Sequence, residues 1–107
     1  MIKVSDGKRY NTETAELIFT RWNGYPRSDF KFRAKQLFRT KNGAWFMFHE
    51  GGAMSDMATS HGNSRGWGED IEPVNDDDAY GFLESHSDEK QASEAIEKYF
   101  SDRIVDA

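Results

Sequence analysis

The chain has 107 residues, of which 36% are hydrophobic and 14% aromatic, enough for one domain (residues 1–107) with a modest core. The aromatic residues occur along the whole chain, which excludes a wholly disordered protein. The absence of cysteine excludes disulfides and thiolate metal sites, and no apolar run approaches the roughly 18 residues that a membrane-spanning helix needs.

The net charge of −5 is unevenly distributed. Residues 1–41 carry ten lysines and arginines against four aspartates and glutamates, whereas residues 42–107 carry four against fifteen. Such polarity indicates a surface for a partner, or two halves that lie against each other with the acids capping helices. Because the N-terminus also lacks the apolar segment of a signal peptide, we expect a soluble, cytoplasmic protein.

The first elements are a hairpin and a helix. Residues 2–4 and 8–10 predict two short strands joined by a Ser-Asp-Gly turn. A helix over residues 12–22, capped by Asn11 or Thr12, is predicted next because apolar residues recur at i, i+3, i+4 and i+7. Those residues are Ala15, Ile18, Phe19 and Trp22.

The central element is a second hairpin over residues 30–48. Asn42-Gly43 predicts a two-residue type I′ turn, because such a turn needs positive φ at both central positions. With that turn, one face of the hairpin carries Phe30, Phe32, Ala34, Phe38, Trp45 and Met47. The other face carries Lys31, Arg33, Lys35, Leu37, Arg39, Phe46 and Phe48. Both faces are apolar near the turn, so we expect other elements to cover both.

Residues 51–68 form a loop with five glycines. A loop of this length is uncommon in a compact domain. It is interpreted either as a surface excursion held by Met54, Met57 and Trp67, or as a recognition loop. The recognition loop would display His61, Asn63, Arg65 and Trp67.

The C-terminal part predicts a strand and two helices. Residues 71–74 form a short strand, at an edge of the sheet because Pro73 cannot donate to a neighbouring strand. Asn75 caps a helix with three aspartates in its first turn, and Ser87 caps a last helix over residues 88–103. The predicted fold class is therefore α+β, with an antiparallel sheet of about four or five strands, one helix after the first hairpin and two C-terminal helices.

The sequence contains no recognisable catalytic or metal-binding motif. The three histidines have no zinc-type spacing, and the glycine-rich segment 62–68 lacks the Lys-Ser/Thr of a phosphate loop. Four acids lie near the ends of the 51–68 loop, but nothing in the sequence selects a pair for acid–base work; they are Glu50, Asp56, Glu69 and Asp70. We therefore expect a non-enzymatic protein with no cofactor and no bound metal.

Two binding surfaces and a third class of function remain. The acidic surface, beside the 51–68 loop, would steer a basic protein that normally binds nucleic acid. It comprises Glu69, Asp70, Glu72, Asp76, Asp77 and Asp78, with Arg65 and Trp67 beside them. The basic strip would contact phosphates of a nucleic acid. It comprises Lys31, Arg33, Lys35 and Arg39. The third alternative is a structural or oligomerisation module that pairs through its C-terminal helix.

Spaced sequence segments resemble a known group of proteins. The segments are D-G-K-R-Y-N-T-E-T-A (6–15), L-F-R-T-K-N-G-A-W-F (37–46), E-G-G-A-M-S (50–55) and the strand 71–74 with its acidic helix. Together they resemble small, mostly uncharacterised proteins of phages and mobile elements of Gram-positive bacteria. The resemblance covers most of the chain and implies an inhibitor of host defence, of the anti-CRISPR type, that binds a nucleic-acid-handling defence protein without catalysis.

Overall fold

The computed structural model describes the backbone of residues 1–107 and every side chain except that of His61. The fold is α+β, with a four-stranded antiparallel sheet in the order β3-β4-β5-β8, two further two-stranded sheets and two α-helices. The strands are β1 (Ile2–Ser5), β2 (Lys8–Asn11), β3 (Glu16–Trp22), β4 (Arg33–Arg39), β5 (Trp45–Gly51), β6 (Thr59–His61), β7 (Ser64–Gly66) and β8 (Gly68–Val74). The helices are α1 (Asp76–Glu84) and α2 (Lys90–Tyr99), followed by a 3-10 turn (Ser101–Arg103).

The predicted helix after the first hairpin is wrong, because that segment forms strand β3. A β-bulge at Ile18 breaks the alternation of side chains, so that Ile18 and Phe19 are both buried against the helices. Two adjacent buried residues imitate the i, i+3, i+4 spacing of a helix. Trp22, the fourth residue of that pattern, is 54% exposed.

The predicted turn at Asn42-Gly43 is also different. Only Gly43 has positive φ (86°), and the backbone N–H of Thr40 donates to the carbonyl of Ala44 at 2.8 Å, so the turn contains the three residues 41–43 rather than two. The backbone N–H of Gly43 donates to the carbonyl of Thr40 at 3.0 Å, as in a type I turn followed by a bulge. The pairing between the two strands is therefore shifted by one residue from the prediction. As a result, Leu37 shares a face with Trp45 and Met47, and Phe38 shares the other face with Phe46.

Both faces of the four-stranded sheet are covered. On one face, α1 and α2 pack over a core that includes Phe19, Leu37, Trp45 and Met47. On the other face, the first hairpin packs through Tyr10 on a second core. The sheet residues of that core are Phe38, Phe46, Phe48 and Ile71. Strand β5 is buried along nearly its whole length, which explains its continuous apolar sequence.

The C-terminal predictions hold in part. Asn75 caps α1 as predicted, since its side-chain Oδ1 accepts from the backbone N–H of Asp78 at 2.8 Å. The last helix is shorter than predicted, because consecutive turns occupy residues 85–89 before α2 begins. Its first residue follows Glu89, whose side chain makes no capping bond, so Ser87 is not the cap.

Candidate interaction surface

The chain between Gly51 and Gly68, here called the 52–67 excursion, is an ordered extension of the sheet. Its two ends are joined, because Gly51 and Gly68 are paired residues of β5 and β8. Glycine is required at these ends. A Cβ on Gly68 would overlap the carbonyl oxygen of Met57, and one on Gly52 would lie 2.6 Å from the carbonyl oxygen of Phe30. Strands β6 and β7 form a small hairpin within the excursion, which replaces the irregular loop that the sequence predicts.

A cluster around a buried carboxylate holds the base of the excursion. Glu50 is 4% exposed, and both of its oxygens accept hydrogen bonds from the guanidinium of Arg27, at 3.1 and 2.8 Å. This guanidinium lies 4.9 Å from the centroid of the Trp67 ring, which stacks on Phe32 at 5.6 Å. The Trp67 indole N–H donates to Glu69 at 3.2 Å. Trp67 is thus held by contacts within the protein, and Glu50 raises the pKa of Arg27 above its ordinary value.

The acidic surface follows strand β8 and the start of α1. Because β8 is an outer strand of the four-stranded sheet, acids on either of its faces are accessible from the same edge. Glu69 and Glu72 are exposed and Asp70 is half-buried. The three aspartates of the first helical turn, Asp76, Asp77 and Asp78, are all exposed.

Intramolecular cations neutralise part of this acidic surface. Lys3 of the first hairpin pairs with Asp70 at 3.1 Å, and Arg103 pairs with Asp77 at 2.8 Å. Glu72 has no lysine or arginine partner and is instead hydrogen-bonded to His49, whose Nε2 lies 2.9 Å away. Within the described part of the chain, Asp76 and Asp78 form no ion pair. Asp76 and Asp78 therefore carry negative charge without a direct ion pair at the N-terminus of α1, where the helix dipole favours it and Arg103 also attracts Asp76.

The predicted site residues divide into two groups at opposite ends of β8. Trp67 and Glu69 lie together beside the 52–67 excursion, whereas Asp76–Asp78 lie beyond the other end of the strand. The seven residues of β8 span roughly 20 Å, and Asp70 and Glu72 lie on the strand between the two groups. Arg65 and Asn63 are exposed on the β6–β7 hairpin, and the side chain of His61 lies outside the described residues. One compact partner domain could cover both groups only by lying along β8.

The basic strip is interrupted by packing. Lys31 precedes β4, and its ammonium lies 5.9 Å from the ring centroid of Tyr25. Arg33 and Lys35 lie on the helix-bearing face at the end that the helices leave open, and Lys35 is exposed. Arg39 lies at the other end of β4 and stacks 4.8 Å from the ring centroid of Tyr99. The four cations therefore do not form one continuous surface.

A cleft of about 410 Å³ lies where the open end of the sheet meets the end of α1. Arg21, Arg33 and Lys35 line it together with Trp22 and His86. Two of the cations are compensated, since Arg21 pairs with Glu89 at 3.0 Å and Arg33 pairs with Asp56 at 2.7 Å. The sequence did not indicate Arg21 or Trp22, because both were assigned to a helix.

A chain of hydrogen bonds crosses this end of the sheet. Arg33 donates to Asp56 and contacts His49 Nδ1 at 2.9 Å, and His49 Nε2 contacts Glu72. Since a guanidinium can only donate, Nδ1 of His49 accepts and Nε2–H donates to the carboxylate. The Arg33 guanidinium lowers the pKa of Asp56 below its ordinary value. Arg33 therefore acts as a structural cation that holds the excursion against the sheet.

The four acids near the loop ends have four different partners. Glu50 binds Arg27, Asp56 binds Arg33, Glu69 binds Trp67 and Asp70 binds Lys3. Glu50 and Glu69 are paired residues of β5 and β8 and both lie in the Arg27 cluster, whereas Asp56 and Asp70 lie apart from them beside Arg33 and Lys3. Among the described side chains, no group of three histidines, aspartates or glutamates is arranged to hold a metal ion.

Comparisons with protein-family models, with curated proteins and with solved structures find no match to this chain. The resemblance to phage and mobile-element proteins therefore stays a prediction. Among the described residues, no helix combines the length and apolar character needed to cross a membrane.

Proposed function

We propose that the protein is a non-enzymatic binding protein that engages a basic, nucleic-acid-handling protein through its acidic surface. The observation that supports this most is the exposed Asp76–Asp78 turn at the N-terminus of α1. It continues an edge strand that carries three more acids, and residues 66–89 contain no lysine or arginine. An array of this kind attracts a cationic partner over several ångströms and orients it before contact.

The proposed contact is centred on α1 rather than on the whole of the acidic surface. Asp70, Glu72 and Asp77 already have partners within the protein, so a cation of the partner must compete for them. Asp76 and Asp78 offer carboxylates that no direct ion pair occupies. Arg65 and Glu69, near the other end of β8, would contribute to the rim of a larger interface.

The specific form of the proposal is a phage-type inhibitor of host defence that acts in the host cytoplasm, as the resemblance implies. The surface that a defence protein uses to bind nucleic acid is basic, and an acidic mimic would occupy it. Such an inhibitor needs no catalytic group, cofactor or metal.

The experiment is an affinity capture from nuclease-treated lysate of a Gram-positive host, followed by identification of the bound proteins. The test variant is D76N/D77N/D78N, and the matched control is E94Q/E97Q/D102N, which neutralises three exposed acids elsewhere. We expect the wild type and the control to capture a nucleic-acid-binding protein that added DNA displaces, and the test variant to lose it. Equal capture by a folded test variant would refute the contact at α1.

The alternative function is binding of single-stranded nucleic acid, and one observation favours it. The cleft between the sheet and α1 combines Arg21, Arg33 and Lys35 with Trp22, which is 54% exposed and available for stacking on a base. A parallel capture without nuclease tests it, with W22A/K35Q as the variant. Recovery of nucleic acid alone, lost in W22A/K35Q, would replace the acidic-surface proposal by this one.

The outer face of α2 is polar, which argues against the alternative that the protein pairs through this helix. That face carries Gln91, Glu94, Glu97 and Lys98, all exposed, whereas the apolar residues of the helix face the core. A second helix would find no apolar stripe on it.

A further inference from the structure

A cleft of about 490 Å³ lies between the first hairpin and the turn that joins β4 to β5. On one side, Asp6 (φ 51°) and Gly7 (φ 73°) form a two-residue turn with positive φ that places Lys8 and Arg9 at the start of β2. On the other side, the three-residue turn contributes Lys41 and Asn42. The ring centroids of Tyr10 and Phe46 lie 5.7 Å apart in an edge-to-face contact, which helps to hold the hairpin on the sheet.

The charges of this cleft are unbalanced. Lys8, Arg9 and Lys41 are its charged lining residues, and no carboxylate lines it. Helix α1 begins at the same end of the sheet, since Val74 pairs with Trp45, yet none of its aspartates pairs with these three cations. Across the described part of the chain the three cations form no ion pair. They differ in this respect from Arg21, Arg27 and Arg33, each of which has a carboxylate partner.

Neutral donors also line the cleft. The Oδ1 of Asn11 accepts from the backbone N–H of Glu13 at 2.9 Å, which directs the amide so that its NH2 group remains available as a donor. The Oγ1 of Thr40 accepts from the backbone N–H of Ala44 at 3.0 Å, so its hydroxyl hydrogen is free to donate. Thr14 adds a third side-chain donor to the lining. Cations and hydroxyl or amide donors around one cavity match the oxygens of a phosphate.

We propose that this cleft binds a phosphate-bearing ligand, with Lys8, Arg9 and Lys41 contacting its oxygens. The cleft volume falls in the range of about 300–1,000 Å³ that small-molecule sites occupy, so a nucleotide-sized ligand fits. The same phosphate chemistry is offered by the backbone of a short single strand. The proposal concerns the phosphate group, and the two sources are separated by experiment.

The test is an NMR titration of the ¹⁵N-labelled protein with ATP and, separately, with an oligothymidylate of about six nucleotides, at low and moderate salt. We expect amide shift changes confined to residues 7–14 and 40–44. The test variant is K8Q/K41Q, and the matched control is K90Q/K98Q, which removes two lysines of α2. Loss of two charge-assisted contacts should weaken binding about tenfold or more in the test variant and leave it within about twofold in the control.

Each outcome decides the proposal. Localised binding of ATP, weakened only in K8Q/K41Q, supports it with a small phosphorylated molecule as the source. Binding of the oligonucleotide alone, weakened only in that variant, supports it with a polynucleotide backbone as the source. The absence of localised shifts with both probes, or equal weakening by the control variant, overturns it. All four lysines are exposed, so we expect both variants to keep the fold. The amide spectra of the variants check this directly.

Discussion

Removal of the Arg27 guanidinium should expose how much the fold depends on the buried carboxylate of Glu50. The Glu50 side chain is 5% exposed and receives two hydrogen bonds from Arg27, whose side chain is 64% exposed. Breaking a fully buried pair costs about 3–5 kcal/mol. Because water reaches the Arg27 side of this pair, we expect R27Q to lose about 2–3 kcal/mol of unfolding free energy, or roughly 8–20 °C in Tm.

Substitution of the other partner, Glu50, should destabilise the protein less. E50Q removes the buried charge and leaves Arg27 in contact with water and with the Trp67 ring, so we expect a loss of about 1 kcal/mol. The double variant R27Q/E50Q should be no less stable than R27Q, because the unpaired carboxylate is gone. Urea unfolding of all four proteins, followed by far-UV circular dichroism, measures the cycle. A loss below about 0.5 kcal/mol in R27Q, or a larger loss in E50Q than in R27Q, would refute this account of the pair.

Two further predictions concern the 52–67 excursion and acid stability. G68A should destabilise the protein by about 2–4 kcal/mol, because its Cβ would overlap the Met57 carbonyl. G81A is the control: nothing lies within 4 Å of its Cβ, so it should stabilise α1 by about 0.5–1 kcal/mol. Thermal unfolding checks both, and a neutral G68A would contradict the close approach described here. Because Arg33 lowers the pKa of Asp56 in the folded state, their pair stabilises the fold above the ordinary pKa of 3.8 and loses this contribution as pH falls through the lowered value. D56N should therefore be less stable than wild type at pH 7 by under about 1 kcal/mol, since Asp56 is largely exposed, and the difference should vanish once the pH falls below the lowered pKa of Asp56; a constant difference would argue against the pair.

The sequence predicted the elements whose signals are local. The Asn75 cap, the edge strand with Pro73 and the first hairpin need only a few neighbouring residues, and all three are present. Strand β3 was missed because its bulge places Ile18 and Phe19 on one face, and a bulge depends on the strand beside it.

The candidate site was predictable in composition but not in arrangement. The acids of β8 and α1 were identified by their charge, yet their partners Lys3, His49 and Arg103 are distant in sequence. Nothing local distinguishes these paired acids from Asp76 and Asp78. In the same way, Arg27 and Glu50 are 23 residues apart, and only the tertiary fold brings them together.

The joined base of the 52–67 excursion also determines the order in which the sheet can assemble. Strands β4 and β5 are separated by a short turn, so their pairing closes a small loop at little entropic cost. The pairing of β5 with β8 must instead close the whole excursion and fit Gly68 against Met57. Folding should therefore nucleate at the β4–β5 hairpin, with β8 joining afterwards and bringing α1 onto a sheet that is already formed. The acidic helix turn would then be among the last parts of the chain to reach its final position.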